Sequence, residues 1–548
     1  MKRYIFSSII ALGGVMTLNA QSAYDAETMT NTDLNGTARY VGMGGALGAL
    51  GADLSTMGSN PAGTGLMRKS DFSISFGGVF TGNKGTLNHD AGRASLDQAG
   101  VLFALGGDNG SVKNINFGVN YQKRRNFLSN LDVDLNLNRG SQTFQLAQMA
   151  DEAYSNGMEF GTLTYATIPI ARKFDKSEVA NINDVRNEIK NNCKYEQGVL
   201  WDNYQEYMIG DDKTPLSYAD YEKKYEAYDK GNAPGYGYYG TSADESNYRR
   251  ATYGNNSQVD INISTNINDK LFLGLSVGIY TMSYDRQTAY FEKGVDGNGY
   301  QIDNWYHSAN DGIDVKLGAI FRPFDDSPFR IGFTVHTPIW YNIKENSTIY
   351  VDATNYNENA SFEYRFRTPW KFNFSLGHTF DNIFALGVEY ELQDLASCKY
   401  YNRPGDNLDF ASSNDDLKAN LTTQHTLKIG AEIKPSQEWS IRLGYNLVTA
   451  GIKKDAYSSP GYNSAYTETD YTNWGATNRL TFGLGYRFKG GYFDLAYQLQ
   501  LQKGKFYAYD YEGVNHTKVS DMTINPVITP TEITNNRSHI MATLGFKF

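Results

Sequence analysis

Apolar and polar residues alternate along much of the chain in runs of about ten. Leu480, Phe482, Leu484, Tyr486 and Phe488 share one parity, with Thr481, Gly483, Gly485 and Arg487 on the other. Phe493 to Leu499 repeats the split against Asp494, Ala496 and Gln498, and Leu386 to Leu392 against Gly387, Glu389 and Glu391. The last run, Arg537 to Phe548, sets Ile540, Ala542, Leu544, Phe546 and Phe548 against Met541, Thr543, Gly545 and Lys547. Successive side chains of a strand point to opposite faces, so each run predicts a strand with one greasy face and one polar or small face. About ten tilted residues also suffice to cross the hydrocarbon layer of a membrane.

Soluble sandwiches alternate too, so the connections decide. Short turns fall at Asp108 to Ser111, Asn268 to Lys270, Asp325 to Pro328, Asp381-Asn382, Pro435 to Glu438 and Lys489 to Gly491, and a long polar segment separates each from the next. About 14 strands are predicted, beginning near Ser70, Gln98, Val112, Gln258, Lys270, Gly312, Phe329, Tyr364, Ile383, Thr423, Trp439, Asn478, Gly491 and Arg537. Short turns inside and long loops outside are the outer-membrane pattern. The fold class is therefore all-β, a transmembrane antiparallel barrel over residues 70–548. Pro369 interrupts the strand near Tyr364, because proline cannot donate to a ladder. The longest external loop, 124–256, holds helix-compatible runs at Thr143 to Tyr154 and Tyr218 to Asp229, which predict a partly helical cap.

One segment does not alternate. Gln21 to Lys69 contains the glycine-rich run Gly36 to Gly51, then Asp53 and Asn60-Pro61-Ala62-Gly63. It is too small-residued for a lipid-facing strand, whereas the lumen of so large a barrel is too wide for its own side chains to fill. Residues 21–69 are predicted to form an N-terminal plug inside the barrel. Ahead of them, basic Met1-Lys2-Arg3, an apolar Ile5 to Val15 and small residues at Leu18-Asn19-Ala20 predict a signal peptide over residues 1–20.

Composition narrows the chemistry. The chain has 41 tyrosines against 6 tryptophans, and tyrosine suits a membrane-water boundary. Its formal charge is −10, and loss of Lys2 and Arg3 with the signal peptide makes it more negative, so no nucleic-acid partner is expected. Cys193 and Cys398 have no metal or redox spacing and read as two loop thiols or one bridge. The seven histidines are scattered, which argues against zinc. His336, His378 and His539 lie near strand ends, as wall histidines or as haem ligands. Gly42 to Gly48 lacks the spacing of a dinucleotide fingerprint. Glu389 and Glu391 share a lumenal face and read as wall charges balanced by Lys316, Arg442 and Arg487 rather than as paired catalytic carboxylates. No serine sits in a nucleophile setting, so neither an enzyme nor a cofactor is expected.

The glycine-rich run, Asn60-Pro61-Ala62, the strand number and the terminal phenylalanine together resemble the FadL/TodX family of outer-membrane transporters for hydrophobic compounds. The resemblance implies passive uptake of a hydrophobic small molecule, fatty-acid-like or aromatic, with the N-terminal segment as a hatch. Asn60, Pro61 and Ala62, with Gly44 and Gly45, would lie in that hatch near the ligand. Ligand would leave sideways beside an interrupted third strand, Val112 to Lys123, with Gly118 as the interruption. Phe548 resembles the signal read by the outer-membrane assembly machinery. The expected setting is a Gram-negative outer membrane, where the chain would be a multi-pass monomer surrounded by lipid. A surface receptor or adhesin, including a haem binder, and a barrel enzyme are the alternatives; the plug favours the channel.

Overall fold

Strands in lipid satisfy their backbone groups only by pairing all the way round. The computed structural model describes residues 22–106, 110–135, 137, 141–142, 172–175, 236–239, 243–294, 299–352, 356–381, 383–406, 408–458, 469–509 and 530–548. The expected signal peptide, both helix-compatible runs of the long loop, and Cys193 lie outside these residues.

Fourteen antiparallel strands close one barrel: β1 (Asp71–Thr81), β2 (Gly92–Gly106), β3 (Val112–Asn126), β4 (Ala243–Ile267), β5 (Leu271–Gly294), β6 (Gly299–Phe321), β7 (Arg330–His336 and Trp340–Val351), β8 (Tyr356–Arg367 and Lys371–Phe380), β9 (Phe384–Asp394), β10 (Thr423–Ile433), β11 (Trp439–Val448), β12 (Tyr471–Phe488), β13 (Gly491–Tyr507) and β14 (Thr531–Thr534 and Arg537–Lys547). β1 closes the ring, with Phe72 opposite Val101 of β2 and Phe546 of β14. Exposed Phe, Leu and Ile side chains occur on every strand, from Phe72 and Phe76 on β1 to Leu544 and Phe546 on β14. Such a continuous apolar surface is the lipid contact of a transmembrane barrel.

The three tallest strands, β4 to β6, have 25, 24 and 23 residues. Outward positions on β5 are apolar from Leu271 to Ile279 and polar from Thr281 to Gln287, so the membrane ends near Ile279. Above that level water lies outside, the outward positions need not be apolar, and the alternation fades. For this reason β4 begins at Ala243 rather than near Gln258, and β6 at Gly299 rather than near Gly312. The long-loop range 124–256 contracts accordingly, since Ser129–Asp134 pairs with β4.

The interruption expected at Pro369 is present, and a matching one stands beside it. β7 breaks over 337–339 and β8 over 368–370. Pro338 and Pro369 cannot donate to a ladder, and threonines supply substitute bonds: the Val315 amide donates to Thr337 Oγ1 at 3.0 Å and the Ile339 amide to Thr368 Oγ1 at 2.8 Å. Each three-residue break inverts the parity of its strand. Below it, Phe333 on β7 and Phe372 and Phe374 on β8 face lipid; above it, Tyr341, Ile343, Tyr364 and Phe366 are buried inside.

Candidate functional site

Residues 22–70 run the length of the lumen. At the outer end the Ala23 amide donates to Asp416 Oδ2 at 2.7 Å, in the short helix Ala411–Asn420 between β9 and β10. At the opposite rim the Phe548 amide donates to the Ser70 carbonyl at 3.1 Å. Wall glycines let this backbone lie against the barrel. Gly377, Gly387, Gly430 and Gly444 pair in one row across β8 to β11, and Gly274 pairs with Gly318 across β5 and β6. A Cβ on Gly387, Gly430 or Gly444 would collide with Ala46, Met43 and Gly44 respectively; on Gly274 or Gly318 it would strike Pro61 and Asn60. A strand glycine costs roughly 0.5–1 kcal/mol relative to alanine and marks close backbone approach. The whole row makes physical sense only with the segment seated.

The five predicted plug residues all lie in the seated stretch. Asn60 donates from Nδ2 to the Gly48 carbonyl at 2.8 Å, and its Oδ1 accepts from the Ala62 amide at 3.2 Å, capping the turn Pro61–Leu66. Gly44 faces Tyr445 and Ile429 of the wall, and Gly45 lies beside Leu34 and Lys428. Ion pairs tie the same stretch down. Arg39 reaches Glu432 at 3.4 Å, and Glu432 also holds Arg442 at 2.6 Å, which in turn meets Asp494 at 2.5 Å. Gly118 is placed differently from the expectation. Its ladder is continuous, opposite Leu102 on β2 and Asn262 on β4, and the irregularities of β3 fall at Lys113 and Arg124 instead.

Glu389 and Glu391 are wall charges, but with other partners than the expected ones. Lys428 lies 2.6 Å from Glu389, and Lys371 lies 3.0 Å from Glu391. Lys316 is held by Asp260 at 2.7 Å and Asp314 at 2.8 Å. His336 Nε2 lies 2.8 Å from the Ser59 carbonyl and His539 Nε2 lies 3.2 Å from Asp97, while the His378 ring lies tilted against Phe380. The three histidines do not converge on one point. Above the seated stretch a polar cavity of ≈ 90 Å³ touches Gln122, Arg124, His336, Lys371, Glu391 and Arg479. A neighbour of ≈ 80 Å³ touches Asp33, Arg125 and Arg537. These volumes suit a few waters, against roughly 300–1,000 Å³ for a ligand pocket.

Higher still the lining changes character. The parity inversion turns Tyr341, Tyr364 and Phe366 inward, where they join Tyr280, Tyr284, Tyr306, Tyr400 and Phe410 in an aromatic vestibule. Its centre is filled by helix α1 (Ala23–Thr30), whose Ala23, Ala26 and Met29 are buried in that cluster. Ser22 and Asp25 form a capping box at its start. Just below, Asp33 lies 3.8 Å from Arg479 and 3.6 Å from Arg537. The expectations drawn from sequence missed this vestibule and its occupant. The available signal was the repeated Thr337-Pro338 and Thr368-Pro369, each followed within two residues by an outward tryptophan, Trp340 and Trp370.

No family model and no curated protein matches the sequence. Solved structures do match. A Pseudomonas aeruginosa FadL homologue aligns over 95% of this chain and 100% of its own, at 12% identity and a TM-score of 0.50. The P. putida toluene transporter TodX covers 94% and 99% at 11% identity and 0.46. The Ralstonia pickettii toluene transporter TbuX covers 94% and 99% at 13% identity and 0.45. The first of these likenesses, with the closed ring and its apolar belt, carries the conclusion on architecture. The chain is a multi-pass outer-membrane β-barrel with the fold of a FadL homologue.

Proposed function

We propose that this barrel takes up hydrophobic small molecules passively, with residues 36–70 acting as a hatch. The observation that carries the reading is the inverted wall above the two breaks. There the lumen is aromatic and the outside is polar, the reverse of the arrangement within the membrane. An apolar solute arriving through water gains by burial on such a surface. The fold shared with a FadL homologue supports the same reading. Movement of the hatch would open the polar level beneath, and no energy-coupling motif is needed. A sideways exit fits the paired breaks of β7 and β8 better than Gly118, because His336 and Lys371, which flank the breaks, line the polar cavity.

The test compares uptake of labelled oleate and labelled toluene by cells carrying wild type, Asn60→Ala, or the double variant Tyr364→Ala, Phe366→Ala. Each variant should slow uptake of at least one compound by roughly tenfold, the equivalent of about 1.4 kcal/mol. Equal rates in all three would remove the transport reading.

A further inference from the structure

The vestibule assigned to capture is full, and its occupant belongs to the chain itself. We propose that the aromatic vestibule is a binding site for an apolar, ring-bearing small molecule, and that residues 22–35 are a displaceable strap whose helix α1 fills that site in the closed state. This rests on the channel reading only for where the ligand goes next.

The two halves of the N-terminal segment are held in different ways. Residues 42–63 lie backbone-to-wall along the glycine rows, where nothing can slide in. The strap offers the vestibule a narrow face, Ala23, Ala26 and Met29 with Tyr24 packed at its edge, set among large rings. A helix of 8 residues is marginal on its own and takes its order from what it docks against. Its other fixings are polar and exchangeable with water: the Tyr24 hydroxyl donates to Asn473 Oδ1 at 2.7 Å, Arg125 Nη1 donates to the Thr28 carbonyl at 2.6 Å, and Asp33 bridges Arg479 and Arg537. A ring-bearing ligand would regain the aromatic contacts that α1 makes with two alanines, a methionine and the Tyr24 ring. It would also leave those polar groups free to be hydrated.

Proton linkage gives the strap a direction. Burial pushes the Glu27 carboxyl up to about 7 from 4.5, against the opposing pull of Arg125 and Asn31. A docked strap therefore holds a proton that a released one gives up. Docking is fully favourable below about pH 4.5 and weakens as the pH rises through about 7. Asp416, which receives the Ala23 amide, is also raised by burial and acts in the same sense. Asp33 shares the cavity and, despite its burial, is held below the usual carboxylate range by Arg537, Arg479 and Arg125, so it loosens the strap only in stronger acid.

Cys398 provides the test. Its Sγ lies 3.7 Å from Thr30 Oγ1, at the last residue of α1. In a Cys193→Ser background, Thr30→Cys should form a disulfide with Cys398 under mild oxidation, seen by mass; failure to form it would contradict the docked position of α1. Binding of 1-naphthol is then measured by equilibrium dialysis in nanodiscs, with empty discs as the blank. The oxidised barrel should bind at least tenfold more weakly than the reduced one, and deletion of residues 22–30 should bind at least tenfold more tightly than wild type. Wild-type affinity should rise between about pH 5 and pH 8, and Glu27→Gln should flatten that rise. Equal binding by the oxidised and reduced forms would overturn the proposal, whether or not the deletion folds. Redox-dependent binding without cellular uptake of 1-naphthol would leave the site standing and remove the channel reading alone.

Discussion

Gly444→Val is expected to unseat the proposed hatch while leaving the barrel intact. The new side chain would enter the space held by Gly44 and Thr481 Oγ1, with no flexible group to give way on the hatch side. Overpacking a rigid contact costs roughly 1–3 kcal/mol or more. At about 1.4 kcal/mol per decade, the undocked fraction should rise about ten- to a hundredfold. Limited proteolysis in nanodiscs should then cut within residues 22–70, and the reconstituted barrel should pass from electrically silent to conducting. Its heat-dependent gel shift should persist, because valine is at home in a strand. Gly106→Val is the control, since no atom lies within 4 Å of a Cβ there. A protected hatch and a silent channel in Gly444→Val would show that the glycine row is not its seat.

The second large effect is expected at Arg442. This buried guanidinium holds Glu432 of β10 and Asp494 of β13, and Glu432 in turn receives Arg39 of the hatch. Arg442→Met would leave two buried carboxylates short of their shared cation, a loss of roughly 3–5 kcal/mol. Urea unfolding from lipid vesicles should show that loss. The triple variant Arg442→Met, Glu432→Gln, Asp494→Asn should recover most of it, because removing both partners of a buried pair is far milder than removing one. A loss below about 1 kcal/mol in the single variant would mean that water reaches the site.

Lipid is what made the fold legible. Wherever a strand crosses the hydrocarbon, its outward residues must be apolar, and each of the predicted strand starts falls within or beside one of the fourteen strands. Where the same strands stand in water the constraint lapses, so the upper halves of β4 to β6 were invisible. The lumenal segment was readable for a related reason, as a stretch too small-residued to be wall. Its seat could have been read as well: Leu376-Gly377, Leu386-Gly387, Ile429-Gly430 and Leu443-Gly444 repeat an aliphatic-glycine dipeptide near the middle of four successive strands. Charge partners depend on register. Glu432 and Arg442 stand opposite each other across a short turn and could be counted into place, whereas Glu389 and Lys428 stand opposite across a long loop and could not. The vestibule escaped because a proline break reverses which parity faces in, and α1 carries too little apolar surface to announce a binding face. Gly118 came from family resemblance, and in this chain the wall is interrupted elsewhere.

The threading of residues 22–70 through the lumen also bears on how the molecule is made. Because the lumenal backbone touches wall backbone along β8 to β11, closing the wall around that stretch is simpler than feeding it into a finished ring. Sewing the seam between β1 and β14, eleven residue pairs from Asp71–Lys547 to Thr81–Arg537, as the last step would enclose a segment already in position. The lumenal segment would in that sense be a mandrel for closure, while the bore itself follows from the number and stagger of the strands.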